Sequence, residues 1–473
     1  MKVIIFGTGQ YWNNRKKYIM DTCDIVCFLD NNLDKWGQRF YESLIENPEN
    51  ILHYEFDYVV IMCQSKDEVH NQLISLGVSE QKIITYNKFK FIGLKEYYVK
   101  YETNENTNYD VLVISTVLDY NGGTIAATYA VKALQSRGKH VLLCAERCNE
   151  KLLCELREEN IEILLVPTLP IVINDMLMNY IKNCEMVLVN VFQMLPVVCQ
   201  LNGLKPILWW IHEPSYVYDI IMREFPQYVD NSLTSFVDCI AVSRIPQKNF
   251  ENKYKRKISD IMSYGIPDIQ PKRKGFKNNT KVTFAIVGGV SEGKAQDIFI
   301  DAIKLLNNVE LGNSNFYIIG SYGRDEFAET ILSQVQEYDN IVITGNLTRA
   351  ELKNIYTQID IMVCPSREDS LPIVMTEAMM YSKPCIASDS TGTADYIKDG
   401  INGFVCKTED SEDLCEKMRY FIHHQEKIEI MGKEARKVYE EYFTMDKFAD
   451  RLCNQMQKTI DMFNEKKMEE LCR

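Results

Sequence analysis

The segment "PSREDSLPIVMTEAM" (365–379) sets two carboxylates, Asp369 and Glu377, eight residues apart around a proline, where an apolar helical stretch begins. Two chemistries suit that spacing. Asp369 or Ser370 can cap the helix by accepting from a first-turn N–H, which leaves Glu377 as a solvated acid. Alternatively, the pair can bracket a ligand rich in hydroxyls. With a helix starting near Leu371, its free first-turn amides form an anion site that the macrodipole favours. Pro372 has no N–H to offer, so Ile373 and Val374 would be the donors. Glu377 then lies ~9 Å further along the axis at ~1.5 Å per residue. A sugar nucleotide laid across that helix end would meet Asp369 with its sugar hydroxyls. Its diphosphate would meet the amides, and its ribose diol would meet Glu377, because each carboxylate oxygen can accept from a neighbouring hydroxyl.

Other residues could carry chemistry, each with a plainer alternative. Lys294 occupies a turn between the strand-like "FAIVGG" and a helical run, where an ammonium can stabilise a departing diphosphate or simply be solvated. Gly122 and Gly123 allow close backbone approach to a ligand, or make an ordinary tight turn. His212 follows "ILWW" at a strand end, facing a ligand or packed in the core. Glu213 has no histidine four residues on, which excludes a zinc-protease helix. "GVSEG" (289–293) fits G-x-S-x-G and would make Ser291 a hydrolase nucleophile. Only His423 and His424 follow it, in a charged helical stretch. At the N-terminus, "IIFGTGQYW" supplies Gly7 and Gly9 of a G-x-G-x-x-G loop with Trp12 in the third position. Asp30 ends the next strand, where a ribose-binding acid would sit. That site binds a nucleotide, or the segment is a structural or docking module.

The elements that must position these residues read as alternating strands and helices throughout, the pattern of doubly wound, parallel α/β sheets. Three groups of strands predict three Rossmann-like domains at 1–95, 109–270 and 275–440. A polar linker (96–108) and a basic connector, "QPKRKGFKNNT" (270–280), separate them, and a charged helical tail fills 441–473. The net charge of −13 gives nucleic-acid binding no electrostatic support. Apolar runs such as "IEILLVPTLPIVI" (161–173) are too short and proline-broken to span a bilayer. Fifteen cysteines without C-x-x-C pairs, and an N-terminus without signal-peptide architecture, point to reduced thiols in the cytoplasm.

"SREDSLPIVMTEAM" resembles the E-x7-E segment of glycosyltransferase family 4, retaining enzymes of the GT-B fold. Asp369 and Glu377 take the two acidic positions. The resemblance covers about 109–460. "NGGTIAA", "ILWWIHEP", "SYGIPD", "GKAQDIFIDAI", "TGNLTRAEL" and "TGTADYIKDGINGFV" follow the family's order. It implies two Rossmann-like domains facing a cleft, preceded here by a third, small one. The acceptor would bind 109–270 and a nucleoside-diphosphate sugar, with UDP or GDP as the nucleotide, 275–440. The C-terminal segment would cross back to the acceptor domain. Lys294, Asp369, Glu377 and His212 would be catalytic. Gly122, Gly123, Leu347, Leu371, Ile373 and Val374 would hold the donor, without cofactor or metal.

Three departures stand out. The arginine that often follows the family's glycines is Val290, leaving Lys294 with less help or Arg324 or Arg367 as substitutes. The usual glycine within E-x7-E is Pro372, and Asp369 is one methylene shorter than Glu. The first 95 residues resemble modules attached to bacterial polysaccharide-biosynthesis enzymes. The implied acceptor is a glycan or lipid-linked glycan, with peripheral contact at the inner membrane face. A non-catalytic nucleotide-sugar-binding protein is the alternative from another class.

Overall fold

The computed structural model describes residues 1–102, 108–269 and 281–472. The basic connector at 270–280 lies outside these, as do residues 103–107 of the expected linker. The chain gathers into two compact units.

The first unit comprises Met1–Asn121, Val141–Val187 and Met194–Gln200. Its N-terminal sheet runs in the order Arg39–Phe40, Ser43–Glu46, Asp24–Leu29, Lys2–Phe6, Tyr58–Ile61, Ile83–Thr85. All pairings described in it are parallel except the Arg39–Phe40/Ser43–Glu46 hairpin. Successive side chains of Lys2–Phe6 serve opposite faces, as strand geometry requires. Val3 and Ile5 join Trp12, Phe28 and Val60 in one core, while Ile4 and Phe6 join Leu29, Val59 and Ile61 in the other. Burial on both faces explains why the strand reads as a continuous apolar run. A second set of strands pairs Val111–Ile114 with Val141–Ala145, and that with Glu162–Leu165. Val99–Tyr101 adds antiparallel to Glu162–Leu165. Part of the expected linker is therefore an edge strand; its alternation is too short to read against the polar residues around it. Lys90, buried, donates to Glu146 Oε1 at 3.0 Å, and the Tyr18 hydroxyl donates to the Glu146 carbonyl at 2.7 Å. These bonds fasten the N-terminal sheet to the second set of strands.

The second unit comprises Gly122–His140, Leu188–Gln193 and Leu201–Arg473. Ile207–Ile211, Val237–Ala241 and Asp260–Ile261 pair in parallel. The 27-residue helix Met445–Leu471 packs on these strands and on helix Gly122–Ser136. Buried Asp238 accepts from Gln455 and Thr459 of that helix, and Phe448 stacks on Trp210 at 5.5 Å. A six-stranded parallel sheet follows the order Ile341–Gly345, Ser314–Ile319, Val282–Val287, Ile361–Cys364, Cys385–Ser388, Gly403–Cys406. Chain connections leave its two central neighbours, Val282–Val287 and Ile361–Cys364, in opposite directions. That is a topological switch point, where open α/β sheets form a crevice beyond their strand ends. Among the described residues no helix is long and apolar enough to cross a membrane.

Candidate active site

Lys294 and Asp369 come from the two loops that open at this switch point. Lys294 ends the 3₁₀ turn Glu292–Lys294, and Ala295 adopts φ +56° before helix Gln296–Lys304. Asp369 follows strand Ile361–Cys364. Their side chains meet, with Nζ 2.5 Å from Oδ2. The Asp369 carboxylate holds the Lys294 ammonium above its usual range, outweighing the effect of burial.

The helix after Asp369 is Ile373–Met380, with Pro372 as an N-cap that makes no side-chain bond. Neither Asp369 nor Ser370 caps it, which corrects the capping expectation, and the start near Leu371 is two residues early. Pro372 sits at φ −66° and ψ 119°, an extended conformation that carries the chain into the helix. Ile373 and Val374 are accordingly the first helical residues, whose N–H groups have no intrahelical acceptor. Glu377 lies one turn in, ~6 Å from Ile373. Its Oε2 accepts from the hydroxyl of buried Tyr356 at 2.6 Å, and Tyr356 stacks on Tyr381 at 4.9 Å. Glu377, Tyr356 and Tyr381 line a cavity of about 30 Å³ with Tyr129, Ile266 and Met380.

Segment 368–371 is fastened from a distant part of the chain. Glu368 accepts from Ser215 N at 2.8 Å, from Ser215 Oγ at 2.7 Å and from Asn249 Nδ2. Ser243 Oγ donates to the Ser370 carbonyl, Ser370 Oγ to the His212 carbonyl, and the Tyr264 hydroxyl to the Leu371 carbonyl at 2.7 Å. Gly392 also presses against the segment; a Cβ there would lie 1.8 Å from the Ser370 oxygen. His212 is thereby adjacent to the loop of Asp369. Its ring lies edge-on to Trp210 at 4.5 Å, Nε2 is buried without a hydrogen-bond partner among the described residues, and burial drives the imidazole down to about 3. It is neutral at physiological pH. Glu213 is buried, and its carboxylate accepts from Phe192 N at 2.6 Å and His212 N at 2.9 Å. Burial pushes it up to about 7 against those bonds.

The remaining expected residues are placed as follows. Leu371 is buried, and Leu347 is half-buried in the turn after strand Ile341–Gly345. Gly122 and Gly123 open helix Gly122–Ser136, with the Gly123 carbonyl accepting from Asn190 at 3.0 Å. No described contact brings them to the Lys294–Asp369 pair. Val290 is buried in the core, and its N–H donates to the Ser321 carbonyl at 2.8 Å. Arg367 pairs with Asp297 at 2.7 Å and Glu409 at 2.8 Å and donates to the Glu292 carbonyl. These bonds bracket the lysine turn.

Ser291 is exposed, and its N–H donates to Gln296 Oε1. His423 is engaged with Glu310 at 2.8 Å. Among the described contacts none makes a Ser–His pair at Ser291. In the N-terminal sheet Gly7 takes φ +112°, where a Cβ would lie 2.9 Å from the Met62 oxygen. Gly9 precedes a helix of only four residues, Gln10–Asn13. Trp12 fills the space of the third glycine, packed edge-on against Phe28 at 5.1 Å. Asp30 accepts from Lys35 Nζ at 2.8 Å and from the Thr8 hydroxyl. Partial burial raises its carboxyl, yet Lys35, Thr8 and Asn32 together hold it below the usual range.

Sequence reasoning missed Tyr356, Glu368 and the bonds from Ser215, Ser243, Asn249 and Tyr264. Their partners stand 21 to 153 residues away, and only the acidic doublet Glu368–Asp369 marked the spot.

Residues 268–438 match the family model described as Glycosyl transferases group 1, and residues 1–84 match the one described as C2185-like, N-terminal. Lys294, Asp369 and Glu377 fall inside the first match. The chain is 38% identical over 104 residues to sulfoquinovosyl transferase SQD2 of Arabidopsis thaliana, covering 21% of this chain and 20% of that protein. It is 25% identical over 201 residues to an uncharacterized 41.2 kDa protein in the cps region of Klebsiella pneumoniae, covering 40% and 54%. The matches thus span a fifth and about half of these relatives. Among solved structures it is similar to Anabaena Alr3699/HepE in complex with UDP, with TM-score 0.60, 14% identity, and 74% of this chain and 100% of that one covered. The fold is GT-B, α/β with an additional N-terminal Rossmann-like domain.

Proposed function

We propose that this protein is a retaining, metal-independent glycosyltransferase that moves a sugar from a nucleoside-diphosphate sugar to a glycan or lipid-linked glycan. The observation that carries the reading is the Lys294–Asp369 pair at 2.5 Å at the sheet's switch point, beside the first turn of helix Ile373–Met380. The segmental match to Glycosyl transferases group 1 supports it, as does the UDP complex of a structural neighbour. Residues 275–440 form the donor domain and 109–270 the acceptor domain, with 441–473 returning to the latter. Polysaccharide assembly at the inner membrane face, by a cytoplasmic protein, is part of the same proposal; the cps-region relative supports it.

In the proposed reaction the bond between the anomeric carbon and the diphosphate oxygen breaks. The acceptor oxygen bonds to that carbon on the same face, and its proton passes to the leaving diphosphate. The protein positions the partners and stabilises the leaving charge. Lys294 and the amides of Ile373 and Val374 meet the diphosphate, Glu377 the ribose diol, and Asp369 the sugar hydroxyls. His212, being neutral, contributes hydrogen bonds and no charge.

The test is a thermal-shift titration of the full chain with UDP-, GDP-, dTDP- and ADP-sugars. One donor should stabilise the wild type and lose its effect in Glu377→Gln while keeping it in Asp30→Asn. Loss in Asp30→Asn alone would move the binding site to the N-terminal sheet. A donor that binds yet is neither transferred nor consumed with any glycan acceptor would make the protein a nucleotide-sugar-binding protein.

A further inference from the structure

The carboxyl end of the N-terminal sheet holds a group of polar side chains that the proposed donor site does not use. Tyr11 sits on the short helix Gln10–Asn13 after the first strand, and Arg15 lies two residues beyond that helix. Tyr86 opens helix Tyr86–Gly93 directly after strand Ile83–Thr85. The Arg15 guanidinium lies over the Tyr11 ring at 3.8 Å and over the Tyr86 ring at 5.7 Å, and the two rings meet edge-on at 6.3 Å. Stacking of this kind holds a guanidinium by its face and leaves its in-plane N–H groups for other partners.

The neighbouring strands bring a second guanidinium to the same place. Lys90, one turn after Tyr86 on the same helix face, is buried and bonds to the Glu146 carboxylate, while the Glu146 carbonyl accepts from Tyr18. These two bonds fix the chain at 146, so Arg147 follows beside the Tyr86 helix, in the strand pair Arg147–Cys148 and Val117–Leu118. Burial, helped by Glu146, pushes the Tyr86 hydroxyl well up, and Arg15 and Arg147 both act in the opposite sense. The same two arginines act on Tyr11.

Arg15 Nε, Arg147 Nε and the Tyr86 hydroxyl are buried with no hydrogen-bond partner among the described residues, and Tyr86 is only 1% exposed. Buried polar atoms are ordinarily bonded, and all three of these can donate. The nearby carboxylate is already taken, since Glu146 is paired with Lys90 at 3.0 Å. Neither arginine has an ion pair among the described residues. Asp30 and Lys35 follow the strand on the other side of Lys2–Phe6 and are bonded to each other. The group therefore carries an excess of positive charge and three donors that converge without an acceptor.

We propose that Arg15, Arg147 and the Tyr86 hydroxyl bind a phosphate group. Two guanidinium forks match its oxygens and its charge of about −1.5 to −2 at neutral pH, and the phenol supplies a further donor. Arg15 and Tyr86 belong to the N-terminal sheet and Arg147 to the strands beside it, so the bound anion tightens that junction.

The experiment is calorimetric titration of the full chain, in phosphate-free buffer at constant ionic strength, with orthophosphate, AMP and UMP. Arg147→Gln should weaken phosphate binding about 10- to 100-fold, the range for a charge-assisted bond, and Arg147→Lys should recover part of the loss. Tyr86→Phe, which keeps the ring against Tyr11 and Arg15, should weaken it about 3- to 10-fold. Lys294→Ala should leave it unchanged. Nucleotides that bind more tightly than orthophosphate, with the same loss in Arg147→Gln, would make the phosphate a nucleotide's; equal affinities would make it the free ion. Affinities unchanged in both Arg147→Gln and Tyr86→Phe, or a wild type that binds none of the three probes, would overturn the inference. Loss in Lys294→Ala alone would overturn it too, by moving the anion to the proposed donor site.

Discussion

Removing Lys294 should produce two effects that a second substitution can separate. The Asp369 side chain is 15% exposed and that of Lys294 36%. Breaking a fully buried ion pair on one side costs about 3–5 kcal/mol, whereas exposed pairs are worth about 0–1 kcal/mol. With one partner a third exposed, Lys294→Ala should cost about 1–2 kcal/mol, mostly from leaving Asp369 unpaired. The loop should survive, because the Asp369 backbone bonds to Ser390 and Gly392 and its neighbours to Ser215, Ser243 and Tyr264. Lys294→Ala/Asp369→Asn then removes the stranded charge and should regain about 1 kcal/mol in urea denaturation. Sugar transfer should behave differently. Losing a donor that stabilises leaving-group charge typically costs about 10²–10³ in rate, and the double variant recovers none of it. Near-wild-type turnover in Lys294→Ala would refute the catalytic role. A double variant no more stable than the single would refute the account of the pair.

Glu377→Gln should weaken nucleoside-diphosphate binding, and Tyr356→Phe should weaken it about 3- to 10-fold by removing one bond to that carboxylate. The Tyr381 stack is preserved in Tyr356→Phe, so an unchanged affinity in titration would make the hydroxyl a bystander. Glu213 predicts a pH effect. Its folded-state value, about 7, lies above the ordinary 4.5, so its contribution to stability is fully present below 4.5 and is lost as pH rises through 7. Urea midpoints of the wild type should fall between about pH 4.5 and 7 more than those of Glu213→Gln; equal slopes would count against it.

The strands were legible because each is a buried apolar run ending in a glycine or polar turn, as "VTFAIVGG" and "IDIMVCP" are. Short edge strands were not. Val99–Tyr101 has too few residues for periodicity to emerge from its polar surroundings. Within the site, Lys294, Asp369 and Glu377 could be located because each follows a readable strand at the sheet's carboxyl end. The helix start was misplaced because Asp369 and Ser370 are good capping types, and nothing local shows that their side chains are committed to Lys294 and His212. Likewise, Arg367 and Arg324 look equivalent as letters. They are told apart only by Asp297 and Glu409, which are 70 and 42 residues from Arg367.

The six bonds that tie Glu368, Ser370 and Leu371 to residues 212–264 also make a thermodynamic statement. They put Asp369 and His212 in one mechanical body, so a ligand that shifts either must do work on the other. Coupling of this kind is reciprocal. On the proposed function, whatever factor a bound donor adds to acceptor affinity, a bound acceptor adds to donor affinity, whichever substrate arrives first. Substitutions at Ser215 or Asn249 should therefore change that factor while leaving the residues proposed to touch either substrate intact.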